Sequence, residues 1–195
     1  MQAAALIAVV VTLGCSSFGA LAQDVKARPI DAPDVKNTKP YSQEGISFKL
    51  PGNWIVTNNE AIEGGGRNVS LEAVKVDFET YALEANLHVY PEETAATLQD
   101  SAEFLVNVYQ DEEPEKYSTP EYSEFNLGKD PALTVRYTHK GLDSSSAYAK
   151  QFGLYARKPC GEGWICLIYA QTIAANESAA RAGLQKIFEN VRYAP

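Results

Sequence analysis

The chain has 195 residues, of which 45% are hydrophobic and 22% are charged, values typical of one globular domain of ordinary size. Asp and Glu number 25 against 17 Lys and Arg, which gives a formal net charge of −8. Because this excess of negative charge repels phosphate backbones and anionic lipid, we expect no nucleic-acid partner.

Residues 1–22 are predicted to form a signal peptide. An apolar run occupies residues 3–14 and is too short to cross a bilayer, while Ala20-Leu21-Ala22 has the form of a signal-peptidase site. The positive charge that usually precedes such a run is missing. Cleavage after Ala22 would leave a periplasmic or secreted chain without a transmembrane segment.

Cys15 offers an alternative, in which cleavage occurs just before a cysteine that then carries a lipid anchor. Lipoprotein signals usually have an aliphatic residue three positions before the cysteine and a small residue two positions before it. Thr12 and Leu13 stand in the reverse order. A lipid anchor at Cys15 is therefore disfavoured, and soluble export is preferred.

Residues 23–40 are predicted to be a flexible linker, since they contain Pro29 and Pro33 and almost no large apolar side chain. The single folded domain is expected to span residues 41–195. Alternating apolar residues predict strands at residues 46–50, 54–56, 68–78 and 81–89. Pro51 cannot donate to a sheet and Gly52 permits a positive φ, so the first strand is expected to stop there.

Helical spacing of apolar residues begins near Thr94, the expected N-cap, and continues to Tyr109. Extended segments follow at residues 122–127, 132–139, 147–157 and 164–173, and a closing helix is predicted over residues 178–191. Runs of consecutive strands indicate an antiparallel sheet, and residues 164–173 are apolar enough for a strand covered on both faces. We expect an α+β fold in which one antiparallel sheet is sandwiched between helices.

Two cysteines remain after the predicted cleavage, Cys160 and Cys166, and an even count in an exported chain predicts a disulfide. Five intervening residues disfavour a thioredoxin-like redox centre. A zinc site would need two further ligands, and the chain has only two histidines, His88 and His139. We expect the disulfide to join the two arms of the last hairpin.

The segment GISFKLPGNW, which follows Tyr41, resembles the first strand and turn of the PsbP-like and Mog-like proteins. In type it is most similar to the exported bacterial DcrB-type members. The resemblance implies an antiparallel sheet between helices over residues 41–193. Known members mostly bind other proteins, so it also implies a binding or accessory module, and it transfers no site residue.

The two histidines are the candidates for chemistry. His88 shares the polar face of a predicted strand with Glu84 and Asn86, and His139 ends an apolar strand that precedes a serine-rich turn. The serine-rich turn lacks a nucleophile-elbow pattern, and the two-residue steps of Glu84, Asn86 and His88 arise in any half-exposed strand. A hydrolase using His88 or His139 is therefore the least favoured alternative.

Three of the eleven tyrosines, Tyr41, Tyr117 and Tyr122, fall in predicted loops and are candidate contacts for a partner. We predict an exported, non-enzymatic module that recognises a protein or another component of the cell envelope and needs no cofactor. The alternative is a periplasmic protein that binds a small molecule or a metal.

Overall fold

The computed structural model describes residues 30–63, 65–73, 83–110, 113–144, 146 and 149–195. Within these ranges lie ten strands and two α-helices, α1 (Leu98–Gln110) and α2 (Glu177–Phe188). The strands are β1 (Lys39–Gln43), β2 (Ile46–Leu50), β3 (Trp54–Ala61), β4 (Arg67–Ala73), β5 (Glu84–Pro91), β6 (Glu121–Leu127), β7 (Asp130–Thr138), β8 (Lys150–Gly161), β9 (Trp164–Ile173) and β10 (Arg192–Tyr193).

The strands form two antiparallel sheets. The main sheet has seven strands in the order β3-β4-β5-β9-β8-β7-β6, and the small sheet has three in the order β1-β2-β10. Tight turns explain the hairpins of the main sheet, because Gly128 and Gly163 adopt φ values of 68° and 70° at the β6–β7 and β8–β9 connections. β2 and β10 pair from opposite ends of the domain, with Tyr193 opposite Ile46.

Each face of the main sheet has its own core. On β8 and β9, Leu154 and Ile168 point into a large cluster that includes β2 and α2, whereas Tyr155 and Tyr169 point into a smaller cluster beneath α1. Successive side chains of a strand point to opposite faces, so one strand serves both clusters. This explains why β9 is apolar at nearly every position.

The predicted α+β fold, one antiparallel sheet sandwiched between helices, is wrong. The structure is mostly β, with ten strands in two antiparallel sheets, and the two helices have only 13 and 12 residues. The reason is the turn at Pro51-Gly52, after which the chain leaves the small sheet and enters the main sheet. Alternation identified β2 as a strand, but it carries no information about which sheet the strand joins.

The large aromatic after that turn explains a glycine in the middle of α2. Trp54 is fully buried at the start of β3, and Gly183 of α2 lies directly against its indole ring. A Cβ at position 183 would overlap the ring atoms. Gly183 is therefore required by the close approach of helix and ring, despite the cost of glycine within a helix.

The first helix begins later than the sequence predicted. Thr94 ends a short 3₁₀ turn, and α1 starts at Leu98. Thr97 is the N-cap, because its Oγ1 accepts a hydrogen bond from the Asp100 backbone N–H at 3.1 Å. The Thr97 hydroxyl also donates to the Asp100 carboxylate at 2.7 Å, which fixes the first turn of the helix.

The predicted disulfide is confirmed. Cys160 and Cys166 are bonded across the β8–β9 hairpin, with their Cα atoms 5.7 Å apart, and both residues are buried. A bonded pair is typical of an oxidising compartment. In the described part of the chain, no helix is long and apolar enough to cross a membrane.

Residues 30–37, part of the predicted linker, lie against the domain. The Ile30 N–H donates to Asn176 Oδ1 at 3.0 Å, and the Ile30 side chain packs on the large cluster. Asn53 adds two hydrogen bonds to this segment, accepting from the Asp34 N–H and donating to the Ala32 carbonyl. The predicted signal peptide and linker residues 23–29 lie outside the described residues.

Candidate functional site

Of the eight tyrosines whose side chains the structure describes, six lie between the main sheet and α1, in the smaller cluster. We call this set the tyrosine layer; its members are Tyr90, Tyr117, Tyr122, Tyr137, Tyr155 and Tyr169. Strand alternation explains the grouping, because antiparallel pairing brings same-face positions of neighbouring strands into one row. On the opposite face, β4, β5 and β9 carry aliphatic side chains such as Leu71, Leu87 and Ile168, and β8 carries Phe152 beside Leu154.

His88 lies in this layer, with a tyrosine hydroxyl beside each of its ring nitrogens. Its Nδ1 is hydrogen-bonded to the Tyr90 hydroxyl, and its Nε2 lies 3.4 Å from the Tyr169 hydroxyl. Burial lowers the pKa of His88 to about 4, against the weaker opposing effect of the Glu60 carboxylate. The imidazole is therefore neutral at pH 7 and too weak a base to accept a proton efficiently there.

A second polar link joins three other members of the face. The Tyr137 hydroxyl donates to Gln171 Oε1 at 3.0 Å, and the amide Nε2 of the same Gln171 donates to the Tyr155 hydroxyl. The rings of Tyr155 and Tyr169 are stacked with their centroids 6.0 Å apart. These contacts hold the tyrosines in fixed orientations, as expected of a satisfied buried network.

His139 lies apart from His88. Its Nδ1 accepts the Gly141 backbone N–H at 3.1 Å, and its ring stands edge-on to Tyr117 at 4.9 Å. β9 and β8 separate β5, which carries His88, from β7, which His139 follows. The structure therefore does not bring the two histidines into one site.

Two unpartnered polar atoms lie in the same row of the sheet as His88. In register, Arg157 faces Leu167, Leu167 faces His88, and His88 faces Asn68. The Arg157 Nε and the Asn68 Oδ1 are buried and have no hydrogen-bond partner. An unpaired buried donor and acceptor cost free energy, so this row can gain from a polar ligand.

The three tyrosines predicted to contact a partner are divided between the two faces. Tyr41 lies on β1, stacks on Phe48 at 4.8 Å and accepts a hydrogen bond from Asn59, all on the side of the large cluster. Tyr117 and Tyr122 belong to the tyrosine layer. All three side chains are half-buried, and their role as partner contacts stays a prediction.

The outer side of α1 exposes apolar side chains that the sequence reasoning missed. Phe104 is 61% exposed and Val108, one turn later, is 38% exposed. The buried side of the helix is formed by Ala102 and Val106. Phe104 and Val108 lie outside the apolar stripe that predicted the helix. Two large apolar residues on the side of a helix that faces solvent indicate a contact surface, and this pattern could have been read from the sequence.

A cleft lies beside the start of α1, where the helix approaches β6 and β7. Its volume is about 430 Å³, and its lining includes Leu98, Gln99, Glu124, Phe125, Asn126 and Leu133. β6 forms one wall and is also the last strand of the main sheet. Sequence reasoning could not locate this cleft, since it depends on the angle between helix and sheet.

No group of three His, Cys, Asp or Glu residues within the described ranges could hold a metal ion. No protein-family model matches the chain, and no curated protein matches it. The resemblance to PsbP-like and Mog-like proteins therefore stays a prediction.

Proposed function

We propose that the chain is an exported, non-enzymatic accessory module that binds a protein of the cell envelope through the outer side of α1. The exposure of Phe104 carries this proposal. A phenylalanine with 61% of its surface in water, one turn from the partly exposed Val108, gains free energy when a partner covers it. Aromatic residues are also common anchors in protein interfaces.

The other side of α1 supports the same role. Helix residues Ala102 and Val106 are fully buried against the tyrosine layer, so the helix presents Phe104 from a fixed support. A rigid scaffold lowers the entropy cost of binding because few groups need to be ordered. The surface is therefore suited to recognition by a preformed shape.

A periplasmic or secreted location is part of the proposal. The Cys160–Cys166 disulfide supports an oxidising compartment, and the predicted signal peptide at residues 1–22 supplies the route. A partner in the cell envelope is then the class of protein that the module meets.

Site-specific photocrosslinking in cells tests the proposal. A photoreactive amino acid at position 104 should give one dominant adduct with another protein, which mass spectrometry can identify. The matched control carries the same amino acid at Leu142, which is 40% exposed and lies in the connection between β7 and β8. Equal adducts from both positions, or none from position 104, would contradict the proposal.

A paired variant provides a second arm. The double variant Phe104→Ser/Val108→Ser, which carries no photoreactive residue, should no longer bind the partner that crosslinking identified. Ile55→Ser, at a residue 42% exposed on β3, should bind this partner as the native chain does. Exposed substitutions of this kind change stability by about 0.5 kcal/mol or less, so loss of binding would not reflect unfolding.

A second candidate, binding of a small polar ligand, rests on the unpartnered atoms of Arg157 and Asn68. Arg157 on β8 and Asn68 on β4 lie three strand spacings apart, roughly 14 Å, so a ligand that satisfies both must cross β9 and β5 with an acceptor at one end and a donor at the other. Thermal-shift screening with a metabolite library tests it: a hit should raise the melting temperature of the native chain and not of Arg157→Met. A hydrolase using His88 gains no support, because the pKa of the ring is about 4.

A further inference from the structure

The last strand of the main sheet, β6, has an unpaired edge in the described part of the chain. β6 pairs with β7 over all seven of its residues, from Glu121 opposite Arg136 to Leu127 opposite Asp130, without a bulge. The main sheet ends there. A regular edge of this length presents backbone donors and acceptors to which another extended chain can add.

The cleft beside α1 opens along this same edge. Tyr122 and Glu124 lie opposite Val135 and Leu133 of β7, both of which belong to the cluster beneath α1. Their side chains therefore lie on the α1 side of the sheet. A chain added to β6 would direct every second side chain to that side, toward the cleft and its lining residue Leu98.

The stretch of sequence that contains α1 and β6 carries most of the net negative charge. Four of its carboxylates follow the C-terminal end of α1 in the sequence, whereas the cleft lies beside the start of the helix. Residues 98–127, which contain α1 and β6, hold eight carboxylate side chains and one lysine, a net charge of −7 out of −8 for the whole chain. The other residues are close to neutral. Glu103 of α1 adds to the same side as Glu124, since burial and then the Glu103 charge raise the pKa of Tyr122 on β6.

We propose that the β6 edge and the adjoining cleft bind an extended, cationic segment of the partner protein by strand addition. This inference rests on the proposed function and names the chemistry of the partner. Lysine or arginine at alternate positions would meet Glu124 and Glu103, and small apolar residues between them would lie on the opposite face of the sheet, beside Phe125, which packs on the large cluster. Electrostatic attraction would speed the encounter, and backbone hydrogen bonds would fix the register.

A second copy of this chain is the less suitable occupant. Antiparallel pairing of β6 with β6 of another copy, centred on Glu124, would place the two Glu124 side chains opposite each other and bring together two segments that each carry a net charge of −7. Like charges directly across a strand pair are destabilising. The charge that attracts a basic segment therefore also prevents self-association through this edge.

The test uses a synthetic peptide of ten alternating lysines and valines as the probe. Fluorescence anisotropy should detect binding to the native chain at low salt, with affinity that falls as salt rises. The peptide in which glutamate replaces every lysine should not bind. Absence of binding by the lysine peptide, or equal binding of both peptides, would overturn the inference.

Two charge-reversal variants locate the site. Glu124→Lys should weaken binding of the lysine peptide by about tenfold, a typical effect of reversing one partner in a partly exposed ion pair. Glu63→Lys changes the net charge by the same amount at an exposed residue near β3, the opposite edge of the sheet, and should change affinity by about twofold or less. Equal losses of affinity from both variants would show that the peptide binds by net charge alone, and would overturn the assignment of the site to β6.

Backbone pairing has its own readout. Amide hydrogen exchange at residues 121–127 should slow when the peptide binds, while exchange at residues 54–61 of β3 should not change. Binding without protection of β6 would overturn strand addition. A crosslink at position 104 that survives Glu124→Lys undiminished would overturn this inference and leave the proposed function standing.

Discussion

The buried histidine makes a quantitative prediction about stability and pH. Burial lowers the pKa of His88 from an ordinary value of 6.5 to about 4 in the folded protein. Above pH 6.5 the ring is neutral in both states and pH has no effect through it. Between pH 6.5 and 4 the unfolded chain binds a proton that the folded protein does not, so the free energy of unfolding falls as pH falls.

The size of the effect follows from the shift. A difference of about 2.5 pKa units corresponds to about 3 kcal/mol, all of it lost below pH 4. By pH 5 the loss from His88 is about 2 kcal/mol, roughly an eighth to two fifths of the stability of an ordinary domain. Carboxylates titrate over part of the same range, so the contribution of His88 must be isolated by substitution.

Urea unfolding of the native protein, His88→Gln and His139→Gln between pH 5 and 8 isolates the contribution of His88. His88→Gln should be less stable than the native protein at pH 7.5, because the tyrosine hydrogen bonds change, yet its stability should fall about 2 kcal/mol less on going to pH 5. His139→Gln is the matched control for the loss of a histidine, since His139 is the only other histidine in the chain. If His88→Gln retains the native slope, the ring is not held neutral in the tyrosine layer and the reasoning is refuted.

Three further predictions concern the contact of Gly183 with Trp54, the cap of α1 and the disulfide. Gly183→Ala should lower the free energy of unfolding by about 2–3 kcal/mol in urea titrations, because its methyl group overlaps the Trp54 ring; a cost below 0.5 kcal/mol would show that the helix shifts freely. Thr97→Ala should cost about 1 kcal/mol by removing the cap of α1, and Thr94→Ala should cost nothing measurable. Replacing both cysteines by serine should lower the melting temperature by roughly 4–12 °C, corresponding to about 2–3 kcal/mol, and insensitivity of the native protein to reductant would contradict a stabilising bridge.

Local periodicity made most of the elements predictable. Alternation in β2 and β5, the continuous apolar run of β9 and the apolar stripes of α1 and α2 depend only on neighbouring residues, which the sequence displays directly. The Cys160–Cys166 pair was predictable for a related reason, since a short hairpin brings its two arms together whatever the rest of the fold does.

The two-sheet arrangement could not be predicted in this way. β10 is only two residues long, and its pairing with β2 joins residues nearly 150 positions apart. Such a contact leaves no periodic trace in either segment. The Thr97 cap has a local signal, because Asp100 follows it by three positions, the spacing typical of a capping box. Thr94 also precedes the helix, and it was predicted as the N-cap instead.

The candidate site shows the same division. The shared face of His88 and Tyr90 follows from their spacing of two residues on β5, so the first contact of the ring was open to prediction. The contact with Tyr169 depends on the pairing of β5 with β9, 81 residues further along the chain. The cleft beside β6 required the position of α1 over the sheet, which no local pattern encodes.

Hydrogen exchange on the native chain, measured alone and in complex with the protein crosslinked at position 104, tests the central claim most directly. The proposal predicts slower amide exchange across α1 and β6 in the complex and unchanged exchange in β1 and β2 of the small sheet. Protection confined to the small sheet, with α1 exchanging as fast as in the free protein, would contradict it.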